Sequence, residues 1–569
     1  MSIKLLFYIC LVSIITACVH PKNHAAKDNT QTPNEMSVDS KVIERAGAPI
    51  FDGMGDFDHP ISTTDPIVQR YFNQAMVLAF GFNHAESIRS FKAAQILDPN
   101  CAMCFWGEAL ATGPNINVTS KGKAIMSPEE RVSAFAALQK AIQFKGNASE
   151  QEQDYIDALA ARYDGNPETD RGPLDLAYAE KMRALTQKYP EDDDAAAIFA
   201  EALMNTMPWD YWSDDGSAKE DTVAVIDSLE KIIQRSPKHP LALHLYIHAV
   251  EASSSPGRAE FAADALADLV PGSGHLVHMP SHIYWRIGRY HDASEANVRA
   301  AKVDEDYIAQ CNAQGFYPAL YYPHNIHFLW ASSSMEGRSK VSIEAARKVA
   351  ANIRLEQIEQ FPTVEFFHTI PLLALTQFGK WDEVLAEPQP TSELEFSNGI
   401  WRYARGVAFA RQGDVASAVQ QREALVPLKE TEKILFLDGN DYPASTVLKI
   451  ADYLLMGEIA MAKNDHASAI DYFEKAVAAQ DSLPYTEPPF WYYPTRQSLG
   501  EVLLKDGKNA SAETVYREDL RRYPRNGWSM FGLIQSLQAQ GKNAEAAKVQ
   551  TKFDGIWARS DVKLTGSRL

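Results

Sequence analysis

Residues 457–476 read GEIAMAKNDHASAIDYFEKA, and their spacing decides the fold. Gly457 and Ala469 lie on either side of a polar turn at Lys463, Asn464 and Asp465, and Phe473 and Ala476 carry an apolar face onward. Small residues so placed let two consecutive helices approach closely. The same interval recurs from Gly406 to Ala418, from Gly500 to Ala512 and from Gly532 to Ala544, across Gln-Gly-Asp, Lys-Asp-Gly-Lys and Gln-Gly-Lys turns. Self-similarity of this kind predicts stacked helix pairs rather than a single compact core.

Two further stretches extend the pattern. Gly500, Ala512 and Tyr516 are followed by Pro524, which closes one pair before Trp528 opens the next helix. Near the start, Tyr71, Ala75, Ile88, Phe91, Ala94 and Pro99 fit the same frame, and Phe105 and Ala109 begin the following helix. These residues resemble the tetratricopeptide repeat, a helix pair of ~34 residues. The resemblance implies an all-α, TPR-like helical-repeat solenoid whose array begins by about Tyr71. Between the ends the units are degenerate: HPLALHLYIHAVEAS (239–253) and PHNIHFLWASSS (323–334) keep helical patterning but lengthen the connections. Strand signals are scarce, and the alternation at Thr446, Val447 and Leu448 is too short to outweigh its helical surroundings.

Outward from the repeats, the N-terminus carries Lys4, an apolar run from Leu5 to Ile15 and then Thr16, Ala17 and Cys18. That is the charged region, apolar region and small-residue junction of an export signal. Ile15-Thr16-Ala17-Cys18 resembles the bacterial lipobox, which implies that Cys18 is lipidated and becomes the first mature residue; Val19 after it favours an outer-membrane address facing the periplasm. From Val19 to about Pro49 the chain is polar and lacks Phe, Trp and Tyr, the composition of a tether. The expected organisation is a signal over 1–17, lipidated cysteine and tether over 18–50, N-terminal TPR-like repeats over 51–235, His-rich degenerate repeats over 236–370 and C-terminal repeats over 371–569.

Composition narrows the function. With 55 Lys and Arg against 74 Asp and Glu, the net charge of -19 excludes a nucleic-acid partner, because a polyanion meets no basic stripe. The 10 Trp, 23 Tyr and 25 Phe supply large buried or ligand-facing surfaces. The sequence holds no H-E-x-x-H, G-x-S-x-G or P-loop.

Ten of the 15 histidines fall between His239 and His368. His244 and His248 are one turn apart on a helix, His275, His278 and His282 are spaced three and four apart, and His324 and His327 are again one turn apart. Imidazoles at helical spacing can chelate one ion, and neutral imidazole suits zinc and copper. Pro280 places His282 early in a helix and His275 and His278 on the approach to it. Cys101, Met103 and Cys104 form a second candidate; a soft metal clip, a disulfide and simple packing are three open readings of that C-x-x-C.

The segments 98–117, 274–293 and 321–330 together resemble a bacterial family of tetratricopeptide-repeat lipoproteins. That resemblance covers roughly 51–569 and implies fold and export, with no reaction attached. Two functions follow as expectations. One is an envelope adaptor whose groove binds a protein or peptide partner, attached to the membrane through its lipid alone. The other is a metal-binding protein or metalloenzyme built on the central histidines, in which three ring nitrogens should converge to within about twice a ~2.1 Å bond.

Overall fold

A computed structural model describes residues 38–569, apart from 119–125, 214–215, 312 and 314. Cys18 and the signal lie outside the described residues. Among the described residues there are 28 α-helices, and the only β features are two isolated bridges, Asn115 with Val118 and Trp212 with Ala218. The fold is therefore an all-α helical repeat, and Thr446 to Leu448 lie inside the helix Ala444–Ala462.

The alanine of the small-residue frame is buried at three of the four places, although Gly406 meets Leu455 of the helix Ala444–Ala462 and not its own partner helix. Ala418, Ala469 and Ala512 are fully buried. A Cβ added at Gly457 would fall inside the ring of Phe473, and one at Gly500 inside the ring of Tyr516, each on the partner helix of its own pair. The fourth match corrects the reading. Ala544 is exposed and Ala546 takes the buried position, because the helix Asn543–Trp557 begins one residue before Ala544. Gly532 is still sterically necessary, yet the side chain it admits is Tyr516 of the preceding pair.

Ordered structure also begins earlier than expected. The helix Ser40–Ala46 lies inside the stretch assigned to the tether, and Ala46 and Ala48 are buried. Tyr71 donates its hydroxyl to the carbonyl of Ala48 at 2.7 Å, and Gln74 bonds both Pro49 and Phe51. Farther along, Asp194 accepts from His59 and His239, tying the entering strap to the repeats. Alanines cannot build a core alone, but they fit into the grooves that the first helices leave.

One buried core runs from Ala46 to Tyr321 and a second from Trp285 to Ala546, with a small third around Trp528 and Phe553. The chain between Gly274 and Met335 supplies side chains to both of the large cores, and it carries six of the 15 histidines.

Candidate metal centre

Four helical segments build the centre. Pro240–Glu251 presents His244 and His248, Gly274–His278 presents His275 and His278, Pro280–Ile287 presents His282, and Tyr322–Met335 presents His324. Pro280 occupies the first position of its helix as expected. The approach differs from expectation: residues 274–278 are themselves a turn of helix, and Met279 keeps helical dihedrals at the joint. Pro280 donates no bond and the His282 N–H turns to the Met279 carbonyl at 3.2 Å, yet the rings of His275, His278 and His282 still follow one another at 5.7 and 4.8 Å in a stripe.

The rings form two sets of three. Ligand atoms of His244, His248 and His275 lie within 4.8 Å of one another, as do those of His278, His282 and His324. His248 and His282 also close a set with Glu251. Five of these six imidazoles are buried and His324 is partly exposed. The 4.8 Å limit is wider than twice a metal–nitrogen bond, but the tightest pairs are well inside it. His278 Nε2 stands 2.8 Å from His282 Nε2, and His275 Nε2 stands 3.2 Å from His244 Nε2.

Hydrogen bonds on the far side of each ring fix which nitrogen faces inward. His244 Nδ1 donates to the Phe80 carbonyl at 2.6 Å. His248 Nδ1 and His282 Nδ1 donate to the two oxygens of Glu251 at 2.7 and 2.6 Å. His278 Nδ1 donates to Asn297 Oδ1 at 2.6 Å, and the Asn297 amide is oriented by donating its own NH2 to the Ala293 carbonyl. Four rings thus use Nδ1–H on an acceptor and turn Nε2 to their neighbours, the outer-shell arrangement of metal-ligating histidine. His275 Nδ1 is buried with no hydrogen-bond partner among the described residues.

Burial dominates the electrostatics. It pushes His278 down to about 3 and holds His244, His275 and His282 well below the ordinary imidazole value, with neighbouring imidazoles adding to the effect for those three. These four rings are neutral near pH 7, as metal ligands must be.

Two of the five non-glycine residues with positive φ among the described residues stand here. Phe82 and Trp209 adopt positive φ of 56° and 63°, a conformation that costs a bulky residue of order 1–3 kcal/mol. The Phe82 ring lies 4.6 Å from His244 and 5.2 Å from His275, and the Trp209 ring 5.1 Å from His248. Both strained residues wall the same cluster. A turn of π-helix, Tyr317–Tyr321, adjoins it, and the Tyr321 ring lies 4.9 Å from His275.

Gly274 shapes the entry to the His275 helix. A Cβ there would collide with the buried carboxyl of Asp304, which accepts from Tyr317 and Asn325 at 2.9 and 2.7 Å. Tyr317 in turn accepts from the His275 backbone N–H at 3.1 Å. Overpacking of this kind costs about 1–3 kcal/mol. Gly274→Ala is therefore expected to weaken transition-metal binding at least about tenfold, measured by competition with a chromophoric chelator; unchanged affinity would show that the helix position is irrelevant to the centre.

Several sequence expectations are corrected. His327 lies outside the cluster, stacked on Trp330 at 5.3 Å and packed against Phe366 and Phe367. Three residues along a helix is less than a full turn, which lets His324 and His327 diverge to different neighbours. Cys101 and Cys104 are joined in a disulfide, so neither offers a thiolate and the soft clip with Met103 is not a metal site in this state. Glu251, Asn297 and the Phe80 carbonyl were missed. Glu251 was legible, standing three residues after His248 on the same helix face.

The class of protein defined by this architecture is a helical-repeat protein with a buried polyhistidine seam. Residues 453–482 match the tetratricopeptide repeat model. Solved structures with related helix arrays include the human IFIT1 dimer with m7Gppp-AAAA, 12% identical, with a TM-score of 0.29 over 92% of this chain and 96% of that one. Yeast Tom70 is 11% identical, with a TM-score of 0.26 over 86% and 91%. Likenesses of this size carry no argument about ligand or partner. No curated protein matches the chain in sequence.

Proposed function

We propose that this chain is a transition-metal-binding repeat protein whose central helices hold the metal. The observation that carries the reading is the 2.8 Å approach of His278 Nε2 to His282 Nε2. Asn297 Oδ1 and the Glu251 carboxylate accept the Nδ1 protons, so neither Nε2 of the neutral rings has a proton to share. Two lone pairs at that distance repel unless a cation takes both. Neighbouring nitrogens on a metal with ~2.1 Å bonds are roughly 3.0–3.4 Å apart, close to what is found. A donor set of imidazoles alone selects zinc or copper over magnesium or calcium.

Location supports this reading. The lipobox ending at Cys18 and the Cys101–Cys104 disulfide both suit an exported protein held at the cell envelope by its lipid. Among the described residues no helix is long and apolar enough to cross a membrane. The repeat at 453–482 favours a second reading, an interaction scaffold for a protein or peptide partner, since stacked repeats display continuous binding surface. The two are compatible, because the histidines are buried in the seam and leave the outer helix faces available.

Elemental analysis of protein purified without a histidine tag tests the proposal. Zinc or copper is expected at one or more ions per chain, with His278→Ala and His324→Ala each lowering the content. Metal-free protein that takes up neither ion on addition would leave the scaffold as the function.

A further inference from the structure

We infer that the centre holds two metal ions rather than one, each taken by three imidazoles, with Glu251 joining the two halves. The inference rests on the metal-binding reading above and adds its stoichiometry and ligand class.

The grouping of the rings carries the argument. One ion with ~2.1 Å bonds gathers ligand atoms no more than about 4.2 Å from one another. Among the described residues, sets of ligand atoms within 4.8 Å of one another hold three residues each: His244, His248 and His275 make one all-imidazole set, and His278, His282 and His324 the other. Each set contains one of the short Nε2 to Nε2 approaches, 3.2 Å in the first and 2.8 Å in the second. The sets adjoin along two edges, His248 to His282 with ring centroids 5.4 Å apart and His275 to His278 at 5.7 Å. In two-metal sites the ions are about 3.5–4 Å apart, a separation that neighbouring triads can provide.

Glu251 lies across the division. Its Oε1 accepts from His248 of the first set and its Oε2 from His282 of the second, and Tyr485 donates to Oε2 at 3.0 Å. The contacts that bring His248, Glu251 and His282 together are these Nδ1–H donations, so that set is the support between the two ions and not a third site. A single carboxylate orienting one ligand of each ion couples the halves mechanically, because a ring that turns in one set moves the acceptor of the other.

Three protein ligands per ion leave a coordination position on each, as in zinc sites that keep a bound water. Phe82, Trp209 and Phe328 wall the seam, their ring centroids lying within 5.2 Å of the nearest imidazole. The position left on each ion would take a small ligand such as water or hydroxide.

The test uses the untagged full-length protein, stripped by a chelator, loaded with excess copper(II) and freed of unbound ion by gel filtration. Metal per chain is measured by mass spectrometry and spin coupling by electron paramagnetic resonance. Expected are two ions per chain in the native protein, one in His244→Ala and one in His324→Ala, with spin–spin broadening in the native protein that both variants lose. One ion per chain in the native protein, or two retained by both variants, overturns the pair while leaving the metal-binding reading intact. No ion in the native protein overturns that reading itself. His324 is partly exposed, so its variant is expected to fold; should either variant misfold by circular dichroism, the stoichiometry of the native protein decides alone.

Discussion

In Glu251→Ala protein, affinity for zinc or copper is expected to fall by about 10- to 100-fold, the usual consequence of removing an outer-shell partner of metal-bound histidine. Stability is expected to fall with it. Glu251 is buried at 1% exposure, and its two oxygens take protons from His248, His282 and Tyr485. Each buried donor left without its acceptor costs about 1–3 kcal/mol. Glu251→Gln separates the two effects, since glutamine nearly preserves the volume. Its carbonyl oxygen can still accept from one imidazole, but its NH2 faces the other Nδ1 and forces that ring to carry its proton on Nε2, where a metal would bind. The Gln variant should therefore keep most of the stability and lose much of the affinity, read by thermal unfolding and chelator competition on the same samples. Equal affinities for native and Gln proteins would mean that Glu251 is a packing residue only.

Metal-free protein is expected to lose stability as the pH falls from 6.5, most steeply below about 4.5. The folded pKa values of His84, His278 and His327 are lowered to about 4, 3 and 3, and those of His244, His275 and His282 are lowered well below 6.5, burial being the first cause in all six. A lowered pKa contributes stability that is present above the unfolded value and disappears as the pH falls through the folded one. Asp304, Asp519 and Glu201, all raised by burial to about 7, act in the opposite sense, as do the raised Glu86 and Glu365. Those carboxyls offset much of the loss only while the unfolded chain's carboxyls remain ionised, which ends near 4 to 4.5. Below that the imidazoles act unopposed, each worth about 1.4 kcal/mol per pH unit. Denaturant midpoints at pH 7, 5.5, 4.5 and 3.5 check the sign; a midpoint that rises into acid would mean the buried rings are charged in the folded protein. Adding zinc at pH 7 should raise the midpoint, and the gain should fade with acid as protons compete for the ligands.

The repeat type was legible because it depends on local periodicity. Gly457 and Gly500 admit Phe473 and Tyr516 of their own partner helices, a contact between near neighbours in the chain that spacing alone encodes. Gly532 shows where this ends: its neighbour Tyr516 belongs to the previous pair, and the equivalence with Ala544 fails by two residues. The end of the stretch read as tether, residues 40–49, looks like polar linker because its anchors, Tyr71 and Gln74, lie on a helix that only the fold brings to it.

The sequence by itself determined that the chain is a helical repeat and that its histidines gather in one stretch at helical spacing. Both properties are set by separations of three, four and about a dozen residues, within reach of a single helix or helix pair. Tertiary structure alone decided which histidines meet. His275 approaches His244 across 31 residues, Glu251 reaches His282 across the same interval, and the Phe80 carbonyl orients His244 from 164 residues away. It also excluded His327, whose spacing from His324 resembles that of true cluster members, by surrounding it with Trp330, Phe366 and Phe367. Helical spacing states which side chains share a face. The packing of four segments at the seam of two cores decides what that face meets.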